Sequence, residues 1–581
     1  MTRDSFRQGS LASPGLPASP LSVSGTLSGK QLFVTGTTGF LGKVLVAHLL
    51  DSVPDIGRLH LLVRAGKSRT GPVGAPERFR HIVLRSPAFR PLRARHGEHL
   101  EAWLADKVRL WEGDVTDVDC GLGGADVAEL APAIDAVIHV AGLTDFEPDP
   151  KKALEVNVRG AMHVLDLASK LERAVLVHTS TCYAAGERSG RILEALPTAT
   201  PSGVPLDPEA ELAQLTAIAE RPTHHDPELK KEKQKAGTAR AKLMGFPNTY
   251  TYSKALAEHL LSARAPTNGT RRPVPLTIVR PAIIECARTF PFEGWNEGIN
   301  TTGPLMWLIS SWFRHLPSKP GNHFDVVPVD TCTRSMIAIT AAAIAGRAKK
   351  IYQIGTSSSN PFTIGRAIEL NNLAVRKDLG ASSRPKLERW VQRFMDTVPV
   401  SAEVDHAWSP KRLRGIAKEV KGLVHGLGAS KLPPAVSRGR ETAEMLLDDV
   451  DKTLGRVQRM LDLYRPFIHD HDWIFDNREL RALDGELDAP SRAAFGWDGD
   501  TIDWRRYWID VLYPGLNTWC TPLLEGGTVP DDPMPAWAKD SHRQRAPRAV
   551  VSTIVSEAVA TLSEPTTFAA DPAPVDEGVA G

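Results

Sequence analysis

Thirteen residues near the start, Gln31-Leu-Phe-Val-Thr-Gly-Thr-Thr-Gly-Phe-Leu-Gly-Lys43, leave this chain few folds to choose from. A β-prone run, Leu32 to Val34, meets a tight glycine turn. An apolar helical pattern then starts at Phe40 and continues through Leu41, Val44, Leu45, Leu49 and Leu50. The three glycines suit a dinucleotide cradle for separate mechanical reasons. Gly36 permits the turn, Gly39 lets backbone amides approach a pyrophosphate, and Gly42 lets the helix pack close to the sheet. The expected cofactor contacts here are Gly36, Thr38, Gly39, Phe40, Leu41 and Gly42. A glycine turn alone also occurs without a ligand, but here a strand precedes it and a helix follows.

The rest of the first half repeats the strand-helix alternation. A second strand, Leu59 to Val63, ends in Arg64, where an acidic residue usually holds the ribose hydroxyls of NAD. An arginine there, followed by Lys67 and Arg69, suits the 2′-phosphate of NADPH, which a guanidinium fork can grip. The third strand, Val108 to Trp111, is closed by Glu112-Gly113-Asp114-Val115; Asp114 can accept from the adenine amino group, and Val115 lies beside it. The fourth, Ala136 to Val140, runs into the small residues Ala141-Gly142, which let a cofactor lie close to backbone. A helix from Asn157 to about Leu171 leads to a fifth strand, Ala174 to Val177. The sixth, Leu276 to Val279, ends Arg280-Pro281-Ala282-Ile283. The proline is expected to turn the chain, so that backbone at Pro281 and Ile283 meets the nicotinamide carboxamide. This alternation predicts an α/β fold, a Rossmann-like doubly wound parallel sheet, with a mostly helical C-terminal region.

Two places carry chemistry. His178-Thr179-Ser180-Thr181 stands at the carboxyl end of the fifth strand, where ligands collect in open α/β sheets. Tyr250 and Lys254 open an apolar helix and, four residues apart, share one face of it. An ammonium near a phenol lowers the phenol's pKa and makes it a usable proton donor, and the same lysine can hold ribose hydroxyls. A Tyr-x-x-x-Lys pair alone is a weak signal; the glycine cradle upstream gives it meaning.

Composition limits the alternatives. A net charge of +2 over 581 residues gives no reason to expect nucleic acid. The five cysteines lie far apart with no metal-ligand spacing, which fits free thiols in a reducing compartment and no metal site. The longest apolar run, near Met336 to Ala345, is too short to span a bilayer, and no signal-peptide core is present, so the expected location is cytoplasmic. The expected division is a flexible tail over 1–28, a reductase domain including its substrate-binding part over 29–370, a helical connection over 371–459, a small C-terminal domain over 460–525 and an irregular tail over 526–581.

Gly36-Thr-Thr-Gly-Phe-Leu-Gly-Lys43, Asn157-Val-Arg-Gly160, Tyr250-x-x-x-Lys254 and Val279-Arg-Pro281 resemble the extended short-chain dehydrogenase/reductases. More narrowly, the chain resembles the alcohol-forming fatty acyl-CoA reductases. The residues that say so are Val177-His-Thr-Ser-Thr181, Pro291-Phe-Glu-Gly-Trp295-Asn with Asn300 and Gly303-Pro304, Val326-Val-Pro-Val-Asp330 and Ile351-Tyr-Gln-Ile-Gly355. Tyr464-Arg-Pro-Phe-Ile468, Ile474-Phe-Asp-Asn477 and Ile502-Asp-Trp-Arg-Arg-Tyr507 extend the resemblance into the C-terminal region.

The resemblance implies NADPH-dependent reduction of a long-chain acyl-CoA, or an acyl-carrier-protein thioester, through an aldehyde to an alcohol. It also implies a catalytic set of Thr181, Tyr250 and Lys254, with Ser180 as alternative to Thr181. Release of the aldehyde, a sugar nucleotide or sterol as substrate, and a non-catalytic NADPH-sensing scaffold are the competing readings. Two departures stand out: Ala141-Gly142 where two alanines are usual, and Glu285-Cys286 where small residues are usual. The carboxylate of Glu285 either turns outward or changes acyl entry. In the insertion from about Gly190 to Met244, Lys230, Lys231 and Lys233 read as a solvated helix, and His224-His225 as surface. Later, Lys411, Arg412, Arg414, Lys418 and Lys421 interleave with Leu413, Ile416, Val420, Leu423 and Val424. That stretch suits either a membrane surface or a helix docked on its own domain.

Overall fold

Strand and helix residues sort themselves by alternation. Leu32, Val34, Ala136, Ile138, Val175 and Val177 bury on one face of a sheet. Phe33, Val137 and Leu176, the residues between them, bury on the other. Both faces are therefore covered, which is the condition for a parallel sheet. The computed structural model describes residues 19–68, 71–266, 272–299, 302–311, 313–379, 390, 394–402, 409–426 and 434–529. Arg69, Asn300 and the expected tails before residue 19 and after 529 lie outside these.

Seven strands form the main sheet: β1 (Gln31–Thr35), β2 (Arg58–Val63), β3 (Val108–Glu112), β4 (Ala136–His139), β5 (Val175–Thr179), β6 (Leu276–Pro281) and β7 (Ile351–Ile354). All pair in parallel, in the order β7-β6-β5-β4-β1-β2-β3. The expected doubly wound sheet is thus present. Its direction of winding reverses between β1 and β4, which opens the crevice where such sheets bind ligands. Helix α1 (Phe40–Ser52) covers one face; α2 (Gly160–Lys170) and α3 (Thr249–Arg264) cover the other. Helix α4 (Val329–Ile344), which holds most of the apolar run near Met336, packs beside α1. Among the described residues no helix is long and apolar enough to cross a membrane.

Several expected boundaries move. β5 continues through His178 and Thr179, and β6 through Arg280 and Pro281, so Pro281 pairs with Ile354 and does not turn the chain. The basic stretch from Pro76 to Leu104 is helical in short pieces, among them Ala75–Phe79, Arg90–His96 and Leu100–Lys107. Residues 19–28 are docked, not flexible: Leu21 bonds the backbone of Glu486 and Asp488, and the helix Val23–Leu27 buries both its end residues. The backbone N–H of Val23 also donates to Ser491 Oγ at 2.8 Å.

Position 370 falls inside helix α5 (Ile364–Asp378), and one apolar cluster joins Cys182, Ile283 and Phe313 to Tyr464, Phe467, Trp508 and Leu512. The strand Trp473–Phe475 pairs in parallel with Gly190–Ile192 of the insertion. The C-terminal region therefore shares one core with the residues around Cys182, Ile283 and Phe313. In the insertion, Lys233 is buried and paired with Asp149 at 3.0 Å, unlike the solvated lysine expected; His224 and His225 are exposed.

Candidate active site

The glycine turn is held by close approach. Gly36 has φ +76°, and a Cβ on it would stand 2.4 Å from the backbone nitrogen of Ala141. A Cβ on Gly42 would stand 2.2 Å from the Gly36 carbonyl oxygen, so helix and turn touch through backbone. At Gly39 the same atom would meet only that carbonyl, at 3.4 Å, and Gly39 is exposed. Gly39 caps α1 without a side-chain hydrogen bond, leaving the helix N-terminus to an anion. Thr38 is partly exposed on the turn, and the fully buried hydroxyl of Thr37 has no hydrogen-bond partner among the described residues. These features fit a dinucleotide pyrophosphate. Phe40 and Leu41 are partly buried, and Phe40 lies 5.1 Å from the ring of Trp295, itself fully buried. Asp330 positions that tryptophan's loop by accepting from the backbone N–H groups of Arg288, Thr289 and Phe290 at 2.7–3.1 Å. Sequence motifs that suggested a substrate thus brace the cofactor helix.

At the edge of the crevice, Arg64 and Asp114 face each other at 3.5 Å, so two residues expected to meet different parts of the cofactor meet one another. Arg64 stays half-exposed. Arg78, which the sequence reading missed, donates to the carbonyls of Arg64 and Ala65 at 3.4 and 3.0 Å. Val115 is buried, and its carbonyl accepts from His163 Nδ1 at 3.0 Å. Ala141 lies over the turn and donates its N–H to Thr35 Oγ1 at 3.3 Å.

Asn157 clamps the loop after β4. It accepts from the N–H of Leu143 at 2.8 Å, donates to that residue's carbonyl at 3.0 Å, and donates to Ser253 Oγ at 3.0 Å. This holds α3 against the loop. On α3, Lys254 is buried and donates to the Thr179 carbonyl at 3.0 Å. Burial pushes its ammonium down to about 8, with Glu258 opposing. A Cβ on Gly142 would come 2.9 Å from Lys254 Nζ, which gives a steric reason for glycine where alanine is usual.

The phenol of Tyr250 lies on the side of Thr181; burial pushes its pKa up to about 12, and Thr181 acts in the other direction. The expected lowering of the phenol by the lysine is absent, because the ammonium is directed at Thr179. Thr181 Oγ1 also lies 3.4 Å from the Pro281 carbonyl, and Ile283 is buried, paired with Val326. The hydroxyls of Thr179 and Ser180 are buried and make no hydrogen bond among the described residues. Two histidines lie side by side there, His178 from the stretch expected to carry chemistry and His139, which the sequence reading missed. His139 and His178 are register partners on β4 and β5, stack at 5.2 Å, and are both kept neutral by burial.

A wall rises beside Tyr250. Phe146 lies 6.3 Å from its ring, stacks on Phe467 at 5.3 Å, and meets Tyr464 edge-on at 6.1 Å. Glu285 turns inward: it is fully buried and accepts from the N–H of Thr302 at 3.1 Å.

Residues 34–336 match the NAD-binding family model described as Male sterility protein. The chain belongs to that family. A member of this family with this turn takes a nicotinamide dinucleotide. Its curated relatives include fatty acyl-CoA reductase 2, chloroplastic, of Arabidopsis thaliana, 28% identical over 86% of this chain and 79% of that protein. The alcohol-forming fatty acyl-CoA reductase of Simmondsia chinensis is 26% identical over 84% of this chain and 97% of its own length. A putative fatty acyl-CoA reductase of Drosophila melanogaster is 30% identical, over 84% and 85%.

Proposed function

We propose that the chain is an NADPH-dependent fatty acyl-CoA reductase that takes a long-chain acyl thioester through the aldehyde to the alcohol and releases CoA. The observation that carries this reading is the placing of Thr181 and Tyr250 beside the buried Lys254, which donates to the Thr179 carbonyl at the carboxyl end of β5. The reductase names of the relatives support the substrate class.

When bound, the nicotinamide supplies hydride. Tyr250, with its pKa near 12, keeps its proton at neutral pH and gives it to the oxygen on which charge gathers as the carbonyl is reduced. Thr181 holds the phenol in place and offers a second donor to that oxygen. The Lys254 ammonium, held on the Thr179 carbonyl, is placed to hold the ribose hydroxyls of the cofactor. Collapse of the hemithioacetal returns its hydroxyl proton to the phenolate and expels the CoA thiolate, leaving an aldehyde; once a second hydride, from a second NADPH, reaches that aldehyde, its oxygen takes the proton of the same phenol. The acyl chain lies along Phe146, Tyr464 and Phe467. The experiment counts NADPH oxidised per thiol released from a long-chain acyl-CoA by the purified protein. Two supports alcohol formation, one replaces it with aldehyde release, and none overturns the reductase reading.

Two further outcomes are expected. Arg64→Ala should raise KM for NADPH by roughly tenfold or more, since charge-assisted hydrogen bonds to phosphate are lost, while NADH kinetics stay unchanged. Equal use of NADH and NADPH by the wild type would overturn the choice of cofactor. Second, kcat/KM should fall with rising pH through an apparent pKa of about 8, as Lys254 loses its proton. The sign for stability is opposite. The folded-state pKa lies below the reference 10.5, so between these values the unfolded chain binds the extra proton, and this group's contribution to stability rises with pH. An alkaline loss of rate with an unchanged or rising unfolding midpoint separates the two effects.

A further inference from the structure

The insertion between β5 and α3 ends in a helix, Pro227–Leu243, whose buried face is unlike that of an ordinary docked helix. Its buried residues are Lys233, Gly237 and Ala241, spaced i, i+4 and i+8: an ammonium, a glycine and one methyl group. Of these only Ala241 joins an apolar cluster, with Phe246 and Tyr252. Lys233 is 6% exposed and pairs with Asp149 at 3.0 Å. Gln234, next along, donates to the Glu147 carbonyl at 3.4 Å. At Gly237 a Cβ would stand 2.6 Å from Pro150 Cγ and 3.4 Å from Thr249 Oγ1. The helix thus touches both sides of the crevice mouth: the loop that carries Phe146, and the residue that precedes Tyr250.

A buried ion pair gains little stability over apolar packing, because both ions lose their water. What it supplies is a fixed distance. The loop after β4 is held at one end by Asn157, which bonds both backbone groups of Leu143. Lys233 holds the other end through Asp149, which also caps the short helix Pro150–Ala153. Pro148 and Pro150 stiffen the chain there. Phe146 lies between the two holds, 6.3 Å from the Tyr250 ring and 5.3 Å from that of Phe467. Glycine at 237 leaves no side chain to keep the loop and α3 apart. We propose, on the acyl-thioester reading above, that this helix gauges the acyl crevice. Lys233 and Gly237 are its positioning residues: they set how closely Phe146 stands to Tyr250, and so how well a long chain is held.

Steady-state rates of the full chain with dodecanoyl-CoA and butyryl-CoA, at saturating NADPH, test this. A dodecanoyl chain has to run along the wall, whereas a butyryl group is too short to gain from it. Lys233→Met keeps most of the side chain and removes its charge. It should raise KM for dodecanoyl-CoA about tenfold and leave its kcat, the butyryl-CoA kinetics and NADPH affinity unchanged. Gly237→Ala favours the helix itself, yet it should shift KM the same way, because its methyl group displaces Pro150. An unchanged dodecanoyl-to-butyryl ratio of kcat/KM in either variant, or equal losses with both substrates, overturns the proposal. If Lys233→Met does not fold, Gly237→Ala alone decides. If the wild type reduces neither thioester, the reductase reading fails, and calorimetry with the unreactive thioether S-dodecyl-CoA decides the gauge. Binding about tenfold weaker in the variants then supports it, and equal binding overturns it.

Discussion

Tyr250→Phe should lower kcat by roughly 10²- to 10⁴-fold, because it deletes the proton donor and little else. The ring, its 6.3 Å contact with Phe146 and the α3 backbone remain, so the fold should persist, with a stability cost of about 1 kcal/mol or less for the lost hydroxyl. Cofactor affinity should hardly change, since the glycine turn and Lys254 are untouched. Titration of NADPH fluorescence, together with single-turnover reduction, separates the two readouts. A variant that reduces acyl-CoA at the wild-type rate would remove Tyr250 from the chemistry and favour Ser180 or a water as donor. Thr181→Val should fall between the two, since it loses the second donor and frees the phenol to rotate.

The largest effect on stability is expected at Arg280. Its guanidinium donates through Nε to Glu258 Oε1 at 2.9 Å and through Nη2 to Glu258 Oε2 at 2.5 Å, and both side chains are almost wholly buried. Glu258 lies on α3 and Arg280 on β6, so the pair pins the helix of Tyr250 and Lys254 to the sheet. Arg280→Met leaves a buried carboxylate without its partner and should cost about 3–5 kcal/mol, read as a lower midpoint in urea. Glu258→Met/Arg280→Met removes both charges and should recover much of that loss, because the desolvation of each ion is relieved together with their attraction. A single variant that costs under about 1 kcal/mol would show that water reaches the pair.

Arg280 also shows where sequence reasoning stops. Val279-Arg-Pro281 was legible as a strand end, and the proline suggested a turn. In the structure the strand runs through both residues, and the arginine spends its charge inside the protein. β5 behaves alike: the apolar pattern ends at Val177, yet pairing continues through His178 and Thr179, since buried polar residues at a strand's carboxyl end carry no periodic signal. The glycine turn was legible because the apolar period changes across it, from strand to helix. Tyr250 and Lys254 were legible because both stand on one helix. The Arg64–Asp114 contact was not, although both residues were singled out, because it depends on β2 and β3 lying side by side. The wall of Phe146, Tyr464 and Phe467 was beyond reach for the same reason, being assembled from distant parts of the chain. Glu285 left two orientations open, and only its bond to Thr302 decides between them.

The seam between Trp473–Phe475 and Gly190–Ile192, together with the anchoring of Leu21 and Val23 on residues 486–491, bears on how the protein is made. Synthesis runs from the N-terminus, so the glycine turn and most of the sheet emerge while Tyr464, Phe467 and Trp473 are still untranslated. For that interval Cys182, Ile283 and Phe313, which cluster with those later residues in the folded protein, are uncovered. Contacts across so much sequence are slow to form, which makes this interval the time when aggregation competes with folding. Production of the protein should therefore depend on chaperones and low temperature more than its final stability suggests.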